Sequence, residues 1–129
     1  PLLWASGFGK EGSIPLLLEA GADVSVFDTA EGRTPLMHAV RTGTANGVAM
    51  LLAAGAQVNQ VDNGGMTALH IAASTNNVSM EKVKLLVEAG SDLSKKDNDD
   101  LTAYSLSKTR TDEAGAAIAA YLAERSKSE

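Results

Sequence analysis

One pattern of residue types returns along this chain at a nearly fixed interval, and this recurrence limits the possible folds more than any other feature. Within the segment 62–73, Thr67 has a counterpart 33 residues earlier at Thr34 and another 35 residues later at Thr102. A leucine-rich second motif keeps step with the first and ends, in successive copies, at Gly21, Gly55 and Gly90. A period of this length predicts stacked copies of one small unit rather than a single globular core.

The residues inside each unit predict two helices. The hydroxyl of Thr67 can cap a helix start, because a threonine oxygen accepts a hydrogen bond from a free backbone N–H of the first turn. Leu69, Ala72 and Ala73 then fall on one face at helical spacing. Gly90 stands where the second helix should end with a positive φ. A hairpin this small cannot bury its own apolar faces, so neighbouring units must stack.

The openings at Thr34 (Thr-Pro-Leu) and Thr67 (Thr-Ala-Leu-His), with this period, resemble the ankyrin repeat family along nearly the whole chain. The resemblance implies an all-α solenoid of about four stacked helix-turn-helix units joined by turns or short hairpins. The predicted boundaries, together forming one domain, are 1–27 for a partial first repeat, 28–61 for the second, 62–96 for the third with a two-residue insertion, and 97–129 for a C-terminal capping repeat.

Three positions depart from the repeated pattern. Ser13 is predicted to cap the second helix of the first unit. Gly47, in the second repeat, stands where the family usually has an aliphatic residue. We therefore expect the second helix of this repeat to be the least stable. Asp100 replaces the turn glycine, which an aspartate can do because its short side chain tolerates left-handed geometry.

Composition excludes several classes of function. The net charge of −5 argues against a nucleic-acid partner, since phosphate backbones require a basic face. The chain has no cysteine, which excludes disulfides, thiol catalysis and cysteine zinc sites. No apolar run is long enough to cross a membrane and no leader segment opens the chain. We therefore expect a monomer in the cytoplasm or the nucleus, with no membrane or nucleic-acid partner.

No catalytic, cofactor-binding or metal-binding residue is predicted, and the chain is not expected to be an enzyme. His38 and His70 are the only histidines, and neither has metal-ligand spacing. The resemblance implies that His70 instead ties neighbouring turns together by hydrogen bonds. The acidic run 97–100 lacks the spaced oxygen ligands of a calcium loop and is interpreted as a solvated turn.

The resemblance also implies a concave face, lined by turns and first helices, that contacts other proteins. The exposed positions predicted to bind the partner are Glu31, Arg33, Arg41, Thr42, Asn63, Met66, Ser74, Thr75, Asp99, Leu101 and Lys108. Arg33, Met66 and Leu101 share one turn slot, where they either form a row of anchors or pack between turns. Lys82 and Lys84, in contrast, are predicted to lie on the outer side of the stack and to contribute little.

Two functions follow from this surface. The first is a protein-interaction module that binds a protein or peptide, including one with a basic segment. The alternative is a regulatory or substrate-recruiting ankyrin domain of a larger enzyme. Because Pro1 falls on the slot of Pro35, one residue inside a repeat, we expect the natural polypeptide and any catalytic part to continue upstream of Pro1.

Overall fold

The computed structural model describes residues 2–7, 12–75, 80–110 and 112–127. Within these ranges the chain forms eight helices and no strand. Their bounds are α1 Leu2–Gly7, α2 Ser13–Glu19, α3 Pro35–Thr42, α4 Ala45–Ala53, α5 Ala68–Ser74, α6 Met80–Glu88, α7 Ala103–Lys108 and α8 Glu113–Lys127. The predicted insertion in the third unit falls largely on residues 76–79, which lie outside the described residues.

The helices form two rows. The first helices of the four units, α1, α3, α5 and α7, pack side by side as an inner row. The second helices, α2, α4, α6 and α8, form an outer row behind them. Each unit is thus a helical hairpin that contacts its neighbours in both rows, which confirms the predicted all-α stack.

Threonines start three of the four inner helices. The Oγ1 atoms of Thr34, Thr67 and Thr102 accept hydrogen bonds from backbone N–H groups three residues later, at 3.3, 3.4 and 3.2 Å. The prediction that Ser13 caps α2 is wrong. α2 begins at Ser13 itself, and the preceding residue, Gly12, has no side chain that could cap the helix.

Positive φ values end the outer helices and shape the turns. Gly21, Gly55 and Gly90 have φ values of 91°, 95° and 100°, as predicted for Gly90. Asp100 has a φ of 67°, which confirms its left-handed geometry. Among the described residues it is the only one with a positive φ that is not a glycine. Gly32 and Gly65, which share the slot of Asp100, have φ values of 71° and 74°. The backbone therefore turns sharply at equivalent places in successive units.

The core is continuous from unit to unit. Its largest fully buried aliphatic side chains alternate between the inner and outer rows and include Ile14, Leu36, Leu51, Leu69, Leu86 and Ile118. At the α1–α2 end, an open apolar cleft of about 450 Å³ is lined by Leu2, Leu3, Leu17 and Val26, among others. The described residues therefore pack α1 and α2 against the stack on one side only.

Candidate partner-binding surface

Each turn between units is built around one aspartate. The Oδ1 atom of Asp62 accepts hydrogen bonds from the backbone N–H groups of Gly64 and Met66, at 2.8 and 3.0 Å. Asp97 accepts the equivalent pair from Asp99 and Leu101, at 2.9 and 3.0 Å. These carboxylates fix the turn backbone, so the acidic residues at this slot serve the fold rather than the surface.

The first of the three turns in the chain follows the same plan around Asp28. Its Oδ1 atom accepts from the N–H groups of Glu31 and Gly32 at 2.8 and 3.0 Å, and its Oδ2 atom lies 2.7 Å from Nε2 of His38. The hydrogen bond from the Glu31 N–H, followed by the contact with His38, lowers the pKa of Asp28 to about 2. Asp28 is therefore a carboxylate at neutral pH, tied to both the turn and α3.

Successive turns are joined directly by backbone hydrogen bonds. The N–H of Asn63 donates to the carbonyl of Glu31 at 2.9 Å, and the N–H of Asn98 donates to the carbonyl of Gly64 at 3.0 Å. The approach is close enough that a Cβ on Gly65 would lie 2.5 Å from Oδ1 of Asn98. The three turns thus form a single ladder with exposed tips.

His70 ties the third unit to the fourth. Its Nε2 lies 2.9 Å from the carbonyl of Leu101, which can only accept, so Nε2 carries the proton. Its Nδ1 then accepts from the N–H of Thr67 at 3.1 Å. This buried ring completes a reciprocal cap with Thr67, and it holds neighbouring turns together as the resemblance implied.

The structure divides the predicted partner-binding residues by exposure. The exposed ones are Glu31, Arg41, Thr42, Asn63, Ser74, Asp99 and Lys108. The half-buried ones are Arg33, Met66, Thr75 and Leu101. As partner contacts all of them remain predictions, but only the first group presents a largely open side chain.

Arg33 links two turns. Its guanidinium lies 3.1 Å from Oε2 of Glu31 and 3.5 Å from Oδ2 of Asp62, and the side chain is only 14% exposed. Met66, in the same slot of the next unit, packs against the buried core. Arg33 therefore connects two turns, whereas Met66 in the same slot contacts the core.

Two other predicted residues have clear intramolecular partners. The hydroxyl of Thr42 donates to the carbonyl of Gly7 at 2.7 Å, which joins the end of α3 to the end of α1. The ammonium of Lys108 lies 5.3 Å from the centre of the Tyr104 ring. Tyr104 occupies the slot of the buried Leu69 but is itself exposed, so this contact lies on the surface of α7.

The prediction that Lys82 lies on the outer side of the stack is wrong. The residue is buried, with 7% exposure, and its ammonium donates to the carbonyls of Val40 and Gly43 at 3.1 and 2.7 Å. The sequence contained a usable signal, since Lys82 falls on the same slot as Gly47, where the family usually has an aliphatic side chain. That slot faces the preceding unit. Lys84 is exposed, as predicted.

The described residues contain no cluster of three or more His, Asp or Glu side chains placed to hold a metal ion. No helix in this part of the chain is long and apolar enough to cross a membrane. What the geometry presents is a ladder of exposed turn tips that lead into the N-terminal ends of the inner helices, together with exposed Arg41 and Ser74 at the C-terminal ends of α3 and α5. Such a surface is suited to contact with another macromolecule.

Comparison with known proteins agrees with the architecture. A family model described as ankyrin repeats, in three copies, matches residues 2–97. The chain is 45% identical over 65 residues to the mouse (Mus musculus) B-cell lymphoma 3 protein homolog, which is 50% of this chain and 14% of that protein. It is 46% identical over 74 residues to a probable E3 ubiquitin-protein ligase of Oryza sativa subsp. japonica, 57% of this chain and 14% of that protein.

The chain is also 35% identical over 77 residues to mouse inversin, which is 60% of this chain and 7% of inversin. It thus spans only a small part of the length of these relatives. The fold is that of a helical repeat scaffold, a class whose members present a surface rather than a catalytic centre. The chain belongs to the ankyrin repeat family, whose repeats are protein-interaction modules.

Proposed function

We propose that this chain is a protein-interaction module that binds a protein or peptide across its turn tips and the C-terminal ends of α3 and α5. The observation that carries the proposal is the ladder formed by the turns. Because Asn63 and Asn98 hydrogen-bond to the preceding turn, three consecutive tips are held in one register. A partner meeting this surface finds preorganised contacts, which lowers the entropy cost of binding.

The experiment is affinity capture with the intact chain as bait, followed by binding measurements on the identified partner. Arg41→Glu reverses an exposed charge at the end of α3. We expect it to weaken binding more than about tenfold, or about 1.4 kcal/mol, with an unchanged melting temperature. Arg33 and Met66 are unsuitable for this test because both are half-buried, so their substitution would also alter stability.

The matched control is Lys84→Glu, which makes the same charge reversal on the outer helix α6. We expect this variant to bind the partner as the wild type does. Loss of binding with Lys84→Glu but not with Arg41→Glu would move the site to the outer row and contradict the proposal.

A second function is favoured by the lengths of the relatives. One of them carries the name of a ligase, and the region matched by this chain is 14% of its length. We therefore propose, as the alternative, that the module recruits a substrate or regulates a catalytic domain in a larger polypeptide. The coding sequence on either side of residues 1–129 tests this alternative, since it requires an adjoining catalytic domain.

A further inference from the structure

Two large apolar side chains are exposed at one repeated slot. Phe27 is 58% exposed and Val61 is 38% exposed, and each directly precedes the aspartate that organises a turn. Single exposed apolar residues are ordinary on protein surfaces. Here, however, they recur at the same position in consecutive units, and we call the pair Phe27 and Val61 the apolar strip.

The exposure of the strip is not an effect of the end of the stack. Val61 connects the second unit to the third, and the helices on either side of it are packed against neighbours. Lys96, which fills the slot in the next unit, is exposed as well. The slot therefore faces outward in each described unit, and stacking does not cover it.

Contacts at the base of the turns hold the strip together. The N–H of Asp28, next to Phe27, donates to the carbonyl of Arg33 at 2.9 Å. The Nε atom of Arg33 lies 3.5 Å from Oδ2 of Asp62, next to Val61. Phe27 and Val61 therefore lie next to residues of two neighbouring turns that Arg33 links.

The charged residues nearest to Phe27 in the sequence are carboxylates. Within five residues of Phe27 on either side, the charged residues are Asp23, Asp28 and Glu31, all of them carboxylates. Asp28 is engaged by its turn and by His38, and Glu31 also contacts Arg33 at 3.1 Å, but Asp23 and Glu31 are both exposed. An apolar side chain among carboxylates favours a partner with cations beside its own apolar residue, because complementary charge selects the partner and speeds its approach.

Resting on the proposed function, we propose that the apolar strip is the anchor of the docking surface and that it takes a protein segment with apolar side chains flanked by Lys or Arg. Aromatic side chains are frequent anchors of such interfaces. The exposed carboxylates of Asp23 and Glu31 receive the flanking cations, since that of Asp28 is occupied by its turn and by His38. The strip therefore adds to the predicted site two residues that lie beside the turn tips and outside the positions first assigned to it.

The test uses a phage-displayed library of random dodecapeptides, selected on the intact chain. Synthetic copies of enriched peptides are then titrated against the wild type, the double variant Phe27→Ser/Val61→Ser, and Leu16→Ser. Leu16 is the matched control because it is 67% exposed but lies on α2, away from the strip slot. Thermal melts establish that all three proteins are folded.

We expect the enriched peptides to carry an aromatic or aliphatic residue next to Lys or Arg. They should bind the double variant at least about tenfold more weakly than the wild type and bind Leu16→Ser equally well. If the double variant melts at a lower temperature, Asp23→Asn provides the second variant, because it should weaken these peptides by removing an exposed carboxylate near Phe27 without removing an apolar side chain.

Three results would contradict the proposal that the apolar strip is an anchor. The selection could enrich no peptide, the enriched peptides could carry acidic flanking residues, or they could bind the wild type and the double variant equally well. A captured protein partner that depends on Arg41 but not on Phe27 and Val61 would also overturn the strip while leaving the proposed function intact. Insensitivity of that partner to Arg41→Glu counts against the proposed function instead.

Discussion

Lys82 shows how one buried cation can connect two repeats. Its ammonium, carried by α6, reaches the carbonyls of Val40 and Gly43 at the C-terminal end of α3. A cation is favourable there, because the last carbonyls of a helix lack intrahelical partners and carry a partial negative charge. Burial also has a cost, since it lowers the pKa of the Lys82 ammonium. The contact therefore depends on well-placed acceptors.

Replacing Lys82 with Met keeps much of the apolar stem but removes the donor. We expect a loss of about 1–3 kcal/mol in the free energy of unfolding, because two carbonyls lose a charged hydrogen-bond partner. Urea denaturation of Lys82→Met beside Lys84→Met measures the effect, and the exposed Lys84 should change stability little. Equal losses in the two variants would contradict a bridging role for Lys82.

Asp28 makes the stability of the fold sensitive to acid. Its folded-state pKa is lowered from 3.8 to about 2, so the ionised form favours the folded state above pH 3.8. This contribution should disappear as the pH falls from 3.8 through 2. Thermal melts across that range should show a shallower pH dependence for Asp28→Asn than for the wild type. Identical slopes would show that Asp28 is not tied to its turn.

Each inner helix that has a successor receives a donor at its C-terminal end from the next unit. The Gly7 carbonyl of α1 accepts from Thr42 at 2.7 Å, and α3 accepts from Lys82. The Ala73 carbonyl of α5 accepts from Nη1 of Arg110 at 3.3 Å. The chemical groups differ, but the direction is constant, so the helix ends are completed by residues that lie later in the chain.

At the slot of Gly65, a residue with a side chain should be tolerated only in a turn against which no later turn packs. Gly65 has a φ of 74°, and a Cβ there would also lie 2.9 Å from the backbone N of Asn98. Asp100 holds the same slot in the last described turn with a side chain in place. We expect Gly65→Ala to cost about 1–3 kcal/mol, through strain and the close contact, and Asp100→Ala to cost much less.

Chemical denaturation of the two variants measures this difference. A Gly65→Ala protein as stable as Asp100→Ala would show that the turns can separate at no cost. The ladder would then not be the rigid surface on which the proposed function depends.

Across the whole chain, stability should rise from the α1–α2 end toward the middle. α1 and α2 pack against α3 and α4 on one side, and the open apolar cleft lies beside them. In addition, no side chain caps the start of α2. We expect amide hydrogens in residues 2–7 and 13–19 to exchange before those in 68–73, measured by native-state hydrogen exchange. The reverse order would show that the first unit is stable without a second neighbour.

The fold was predictable from the sequence because each unit carries its own local signals for helix starts, helix ends and turns. Thr67 as a cap, Gly90 as a helix end and Asp100 in left-handed geometry depend on residues close in sequence, and all three are confirmed. Lys82 was misplaced because its acceptors lie 42 and 39 residues away in the sequence, at the C-terminal end of α3 in the preceding unit.

The candidate site was less predictable for a related reason. Exposure of a turn residue depends on the neighbouring turn, and the pairing of Arg33 with Asp62 spans 29 residues. Local propensity could place Arg33 on a turn but could not indicate that its charge is already engaged. Phe27 and Val61 were recognisable by alignment of the repeats, although only the structure shows that stacking leaves them open.

The direction of the helix-end contacts has a consequence for how the protein is made. A ribosome releases the chain from its N-terminus, so α3 emerges before Lys82 and α5 before Arg110. Each hairpin that has a successor must wait for it before the carbonyls at the end of its inner helix receive these protein donors. During synthesis, each unit should therefore become fully ordered only after the next unit has emerged. A protein truncated after the third unit would lack the Arg110 donor at the end of α5, so its third unit would be the incompletely ordered one.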